Sequence, residues 1–98
     1  MSARTPTAAP PEQLDRLRAE IERIDRALIA LVSDRVRTAR SMADAKSAAG
    51  VATPDPAQEA AVIRRAAAVA REAGLPEEET RDLFWVLVGL TRRAQVGA

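Results

Sequence analysis

The chain has 98 residues, enough for one small domain, and its 15 Lys plus Arg against 14 Asp plus Glu leave a formal net charge of +1. That balance gives no global attraction to nucleic acid or to anionic membranes. Cysteine and histidine are absent, which excludes a disulfide framework, a thiolate nucleophile, a Ser-His-Asp triad and most zinc sites; Phe84 and Trp85 are the only aromatics, too few for a base-stacking platform.

The N-terminal stretch MSARTPTAAPPEQ holds one Arg and no apolar run. It reads as a flexible tail over residues 1–11, followed by one helical domain over 12–98. It does not read as a signal peptide, and no segment is long enough to span a bilayer, so a cytoplasmic location is expected.

From residue 12 to 48 there is neither Gly nor Pro, and Ala, Leu, Arg, Glu and Ile dominate, which predicts one long helix. Such a rod is roughly 50 Å long, against a radius of gyration of roughly 13 Å for a compact domain of this size. Its apolar seam, Leu14, Leu17, Ile21, Ile24, Leu28 and Leu31, alternates three- and four-residue steps. That seam needs a partner along its length, either another long helix or a second copy of the chain.

The next seam position is Arg35, and Lys46 stands 11 residues further on. Eleven residues is about 20° past three turns, so both cations share a face, about 16 Å apart along the axis. A charge on a core stripe needs a partner. One reading pairs Arg35 with Asp34 or a partner carboxylate and leaves Lys46 fraying into solvent at the helix end. The other lets both converge on one small anion. Arg18 flanks the seam near its start, roughly 25 Å from Arg35. It is a solvated surface residue on the plain reading, and reaches a site of a second subunit only if two long helices pack antiparallel.

Gly50 and TPDP, Thr53 to Pro56, break the pattern. Asp55 is placed as an N-cap, with Pro56 at the first helical position and Gln58 at the third, as in a capping box. Glu59 falls in the first turn, where a carboxylate suits the helix dipole. This second helix is expected to carry Val62, Ala66, Val69 and Ala73 on one face and to stop at Gly74. Pro76 followed by Glu77, Glu78 and Glu79 starts a third helix. One stripe of it holds Leu83, Leu87, Leu90 and Ala94, and a neighbouring one Phe84, Val88, Thr91 and Gln95. Singly, Thr91 and Gln95 read as polarity fraying near a chain end. No strand pattern and no repeat is visible, so the expected fold is all-α: long helix, loop, helix, tight turn, helix. Taken together, Arg18, Arg35, Lys46, Glu59, Thr91 and Gln95 put cations, a carboxylate and neutral donors on otherwise apolar stripes. With no nucleophile and no metal-ligand cluster, that set suits binding a small dianion and holding it in one shape better than it suits hydrolysis.

The segment LRAEIERIDRALIALVSDR, followed by AK at Ala45-Lys46, an Asp and Glu at positions 55 and 59 and a terminal Gln95, resembles the AroQ-class (type II, all-helical) chorismate mutases over residues 14–95. The resemblance implies an intertwined helical homodimer with two equivalent sites, each completed by an Arg from the other subunit. Arg18 matches that residue. Arg35 matches the Arg that holds a substrate carboxylate. Lys46 matches the Lys on a carboxylate and the ether oxygen, and Gln95 the donor to that oxygen from the other side. Glu59 matches the carboxylate that accepts from the ring hydroxyl, with the Asp55 backbone nearby. Thr91 stands where a small hydroxyl residue is frequent. The implied reaction, chorismate to prephenate, is an intramolecular Claisen rearrangement. It needs no cofactor, no metal, no acid or base and no covalent intermediate, only selection of a compact conformer and donors for the charge growing on the ether oxygen. Docking of a partner enzyme on the dimer is a further possibility that the resemblance carries.

One position departs from the family pattern. Gln58 stands where an Arg usually precedes the Glu, which removes a positive charge near the ring's hydroxyl edge. Either the change is tolerated, or the substrate is 4-amino-4-deoxychorismate, whose ammonium would suit Glu59 without a neighbouring Arg, as in antibiotic pathways. An isochorismate-pyruvate lyase would use Arg35, Lys46 and Gln95 equally well. A non-catalytic helical dimerisation module would instead leave Arg35 and Lys46 as exposed ion-pair residues worth about 0–1 kcal/mol each.

Overall fold

The computed structural model describes residues 9–96 and contains three helices and, among the described residues, no strand. Helix α1 spans Pro10–Ala49, α2 spans Pro56–Ala73 and α3 spans Glu77–Gln95. The first helix begins two residues earlier than expected. Pro10 and Pro11 fit its first turn, where a missing N–H leaves no bond unmade and the fixed φ is already helical. The rest of the expected tail, residues 1–8, lies outside the described residues. No helix among the described residues is long and apolar enough to cross a membrane.

The chain divides into two compact units, Met1–Leu31 and Val32–Ala98. The described part of the first unit is a stretch of α1. All six of its seam residues are exposed, Ile24 least at 39% and Leu17 and Leu31 most at 63%. Its polar faces carry ion pairs one turn apart, Arg23 with Glu20 at 2.5 Å and Arg26 with Glu22 at 2.7 Å.

In the second unit α2 and α3 form an antiparallel hairpin, and its ends are written in the sequence. The Asp55 carboxylate accepts the Gln58 N–H at 3.2 Å and Pro56 opens the helix. At the other end Gly74 adopts φ 74°, so that its own N–H and that of Leu75 reach back to the Arg71 and Ala70 carbonyls. Only glycine takes this left-handed turn without a side-chain penalty. Arg71 donates to both Glu77 oxygens at 2.9 and 3.1 Å beside the turn. Arg92 does the same to Glu59 at 2.9 and 2.6 Å at the open end.

The core of this unit is thin and made mostly of small residues. Ile63, Ala66, Ala67 and Ala70 of α2 are buried at helical spacing, with Val88 and Thr91 of α3 and Ala39 of α1. This corrects two expected faces. On α2, Val69 and Ala73 are exposed, and the buried stripe is turned toward Ile63, Ala67 and Ala70. On α3, Leu83 is 57% exposed, and the neighbouring stripe through Val88 and Thr91 faces inward. The reason is steric: side-chain size at the contact sets how closely two helices approach, and the alanines of α2 with Val88 of α3 make the close contact while Leu83 stays outside. The C-terminal half of α1 meets α3 through side chains. Arg35 donates to the Thr91 hydroxyl at 3.0 Å, and the Gln95 amide donates to the Ala39 carbonyl at 3.1 Å. Both bonds span the same sequence separation, so these stretches of α1 and α3 run parallel.

Candidate active site

A cavity of about 380 Å³ opens between the three helices of the second unit, within the range of small-molecule pockets. Seven of the eight residues expected at a site line it: Arg35 and Lys46 from α1, Asp55, Gln58 and Glu59 from the start of α2, and Thr91 and Gln95 from α3. Ala39, Met42, Val62 and Val88 supply its apolar wall. The eighth residue, Arg18, belongs to the first unit. Its guanidinium lies 3.8 Å from Asp15 and its side chain is exposed, as in the plain reading of that residue.

Lys46 is the only lysine in the chain; every other cationic side chain is an arginine. It sits in the last turn of α1, and the end of that helix is fixed by Gly50. With φ 73° at Gly50, the Val51 N–H closes on the Lys46 carbonyl at 2.8 Å. The backbone that carries this ammonium is therefore fixed near the negative end of the helix dipole. It is half-buried and makes no hydrogen bond or ion pair through its side chain among the described residues. Lys46 thus does not fray into solvent.

Arg35 does not pair with Asp34, which is taken by Arg37. Its guanidinium is half-buried and donates to Thr91 Oγ1. Thr91 is not fraying polarity: it is 7% exposed, and its hydroxyl turns back onto the Leu87 and Val88 carbonyls, both at 3.1 Å. With its one proton committed there, the oxygen is left to accept from Arg35, which orients the guanidinium along the cavity wall. Gln95 is oriented by the same logic. A carbonyl only accepts, so the group facing Ala39 is the amide nitrogen, and its second N–H remains for a ligand. Neither cation is the exposed ion-pair residue that a non-catalytic module requires.

The two carboxylates differ. Asp55 caps α2. Glu59 is gripped by Arg92, whose hydrogen bonds, ahead of charge attraction to Arg92 and Lys46, hold the carboxyl below its ordinary value of 4.5. The capping box is only half made. Asp55 receives the Gln58 N–H, but the Gln58 side chain makes no return bond and faces the cavity instead.

Two arginines outside the expected set matter. Arg65 also lines the cavity, on the face of α2 that carries Gln58 and Val62, and makes no ion pair among the described residues. The spacing 58, 62, 65 places it there, a signal available from the sequence but masked by the number of arginines. Arg92 neighbours Thr91 and reads in the sequence as a last-turn cation suited to the dipole. Only the helix hairpin brings it to Glu59. The cavity therefore presents three cations, Arg35, Lys46 and Arg65, none of them paired to a carboxylate among the described residues, while its two carboxylates are already engaged. That excess favours a ligand with two negative charges.

Residues 17–96 match the family model described as chorismate mutase type II. No curated protein and no solved structure matches the chain.

Proposed function

Because the chain belongs to the chorismate mutase type II family, we propose that it is a cytoplasmic, homodimeric chorismate mutase, an isomerase that rearranges chorismate to prephenate. The observation that carries this reading is the convergence of Lys46, Gln95, Arg35 and Glu59 on one cavity whose uncompensated charge is positive. Arg35 holds one substrate carboxylate and Arg65 is placed to share the anionic load. The substrate is thereby kept in the compact conformer in which its two reacting carbons face each other, a positional effect that removes much of the entropic barrier. As the ether bond breaks, negative charge grows on its oxygen. Lys46 and the free N–H of Gln95 donate to that oxygen, and Gln95 is already oriented by its bond to the Ala39 carbonyl. Glu59 accepts from the ring hydroxyl. The chain's lack of His and Cys is no obstacle, because no proton leaves or joins the substrate.

The second copy supplies Arg18 of the partner subunit to each site. Support comes from the six exposed seam residues of α1 and from a core in which, among the described residues, no large side chain is fully buried. Exposed apolar surface of that extent marks an association surface.

The test is product analysis by chromatography and mass spectrometry with chorismate and isochorismate offered separately. Prephenate from chorismate is the expected result. Pyruvate released from isochorismate as the faster reaction would reassign the site to a lyase, and no turnover of either would leave a binding module.

A further inference from the structure

Among the described residues, Glu59 and Arg92 form the one ion pair in which a cavity carboxylate is gripped through both oxygens. Glu59 lines the cavity and its side chain is 17% exposed; Arg92 is not part of the lining and its side chain is 43% exposed. The guanidinium thus reaches Glu59 from outside the cavity. A carboxylate offers about four lone-pair positions, and Arg92 occupies two of them, so acceptor capacity is left for a ligand. What the pairing removes is net charge. A lone carboxylate facing a cavity favours an ammonium over a hydroxyl, because the cation gains the full attraction. A carboxylate already neutralised by a guanidinium still accepts from a neutral hydroxyl. To an ammonium it offers little, and Arg92 and Lys46 then repel the added charge.

We propose that Arg92 is a positioning residue that sets substrate specificity: by neutralising Glu59 it fits the cavity to a dianion with a neutral ring hydroxyl and rejects the analogue with an ammonium at the same place. The inference rests on the mutase reading and deepens it. It also accounts for Gln58. The positive charge that an arginine at that position would bring from α2 is delivered to Glu59 from α3, and Gln58 itself makes no bond to Glu59. The competing view is that Arg92 merely clasps the open end of the hairpin, as Arg71 clasps the turn end through Glu77.

The experiment compares kcat/KM for chorismate and for 4-amino-4-deoxychorismate in the full chain and in the variants Arg92→Gln, Arg92→Met and Arg92→Lys. The ratio within one variant cancels any loss of folded protein, so a purely structural role does not move it. Two neutral variants are included because either one can fail to fold. The parent chain is expected to prefer chorismate. The neutral variants are expected to shift the ratio toward the amino analogue by about tenfold or more, and Arg92→Lys, which keeps the charge, to retain most of the preference. An unchanged ratio in a folded neutral variant overturns the inference while leaving the mutase reading intact. A parent chain that prefers the amino analogue overturns the inference and, with it, chorismate as the substrate. Turnover of neither substrate by the parent chain removes the mutase reading itself, and the inference with it.

Discussion

Among the cavity residues Lys46 carries the sharpest expectation, because an ammonium with no hydrogen bond or ion pair among the described residues is available in full to a ligand. Lys46→Ala is expected to lower kcat by about 10²-fold or more, the scale of removing one preorganised donor, as read from the initial rate of prephenate formation. Lys46→Arg is expected to restore little. A planar fork cannot take the place of a compact point charge carried at the end of α1. Arg65→Ala tests a different role. A side chain that shares the anionic load in ground and transition state alike should raise KM several-fold, about three to ten, and leave kcat within about twofold. The pH response follows from Glu59. Its carboxyl is held below 4.5 by Arg92. A depressed group keeps its charge, and the stability that charge brings, at every pH above its ordinary value. Both are lost only as pH falls through the lowered folded value. Since Gln95 does not titrate, the rate profile is expected to be flat across neutrality and to fall only below about pH 4.5; a sharp acid optimum would point to a protonated carboxyl as the donor. Arg35, Lys46, Thr91 and Gln95 were legible in the sequence because each breaks an apolar stripe. Arg92 was not, because its partner lies 33 positions away on another helix and nothing local marks the pair.

Helix ends were legible for a similar reason: Asp55-Pro56, Gly50 and Gly74-Pro76 are local chemistry, and all three boundaries fall where those residues place them. Helix faces were less so. Hydropathy favours the leucine stripe of α3 and the valines of α2, whereas close packing of two helices selects the alanines and Val88. Two glycines show how the same substitution takes opposite signs by context. Gly50 stands at φ 73°, and a Cβ there would meet nothing within 4 Å, so the cost of Gly50→Ala is backbone strain and not a clash. It is expected to destabilise by about 1–2 kcal/mol, and to blunt catalysis because the end of α1 sets the position of Lys46. Gly89 lies inside α3, and an added Cβ would meet only the flexible end of Arg93 at 3.6 Å. Gly89→Ala is expected to stabilise by about 0.5–1 kcal/mol. Urea denaturation followed by circular dichroism measures both, and equal signs would contradict the backbone argument.

At the scale of the whole molecule the question is what covers the exposed seam of α1 and how Arg18 comes to matter. If two copies pair along that seam and each site takes Arg35 from one subunit and Arg18 from the other, the two arginines can be separated genetically. The homodimer of Arg18→Ala lacks the partner's arginine at both sites, and that of Arg35→Ala lacks the resident one at both. Each alone should lose most activity. A mixed dimer behaves differently. The Arg18→Ala subunit brings an intact Arg35, its partner brings an intact Arg18, and these two meet in one site, while the other site loses both. Random reassortment of equal amounts makes half the dimers mixed, each with one good site of two, so co-refolding the two variants should recover about one quarter of the parent activity. A site built within one chain gives no recovery, since every site would then carry one defect whatever its partner. The figure of one quarter follows from symmetry and holds when each variant alone has lost nearly all activity. Activity that stays at the level of the separate variants, with mixed dimers demonstrated by native mass spectrometry, would rule out Arg18 as a residue of the partner's site.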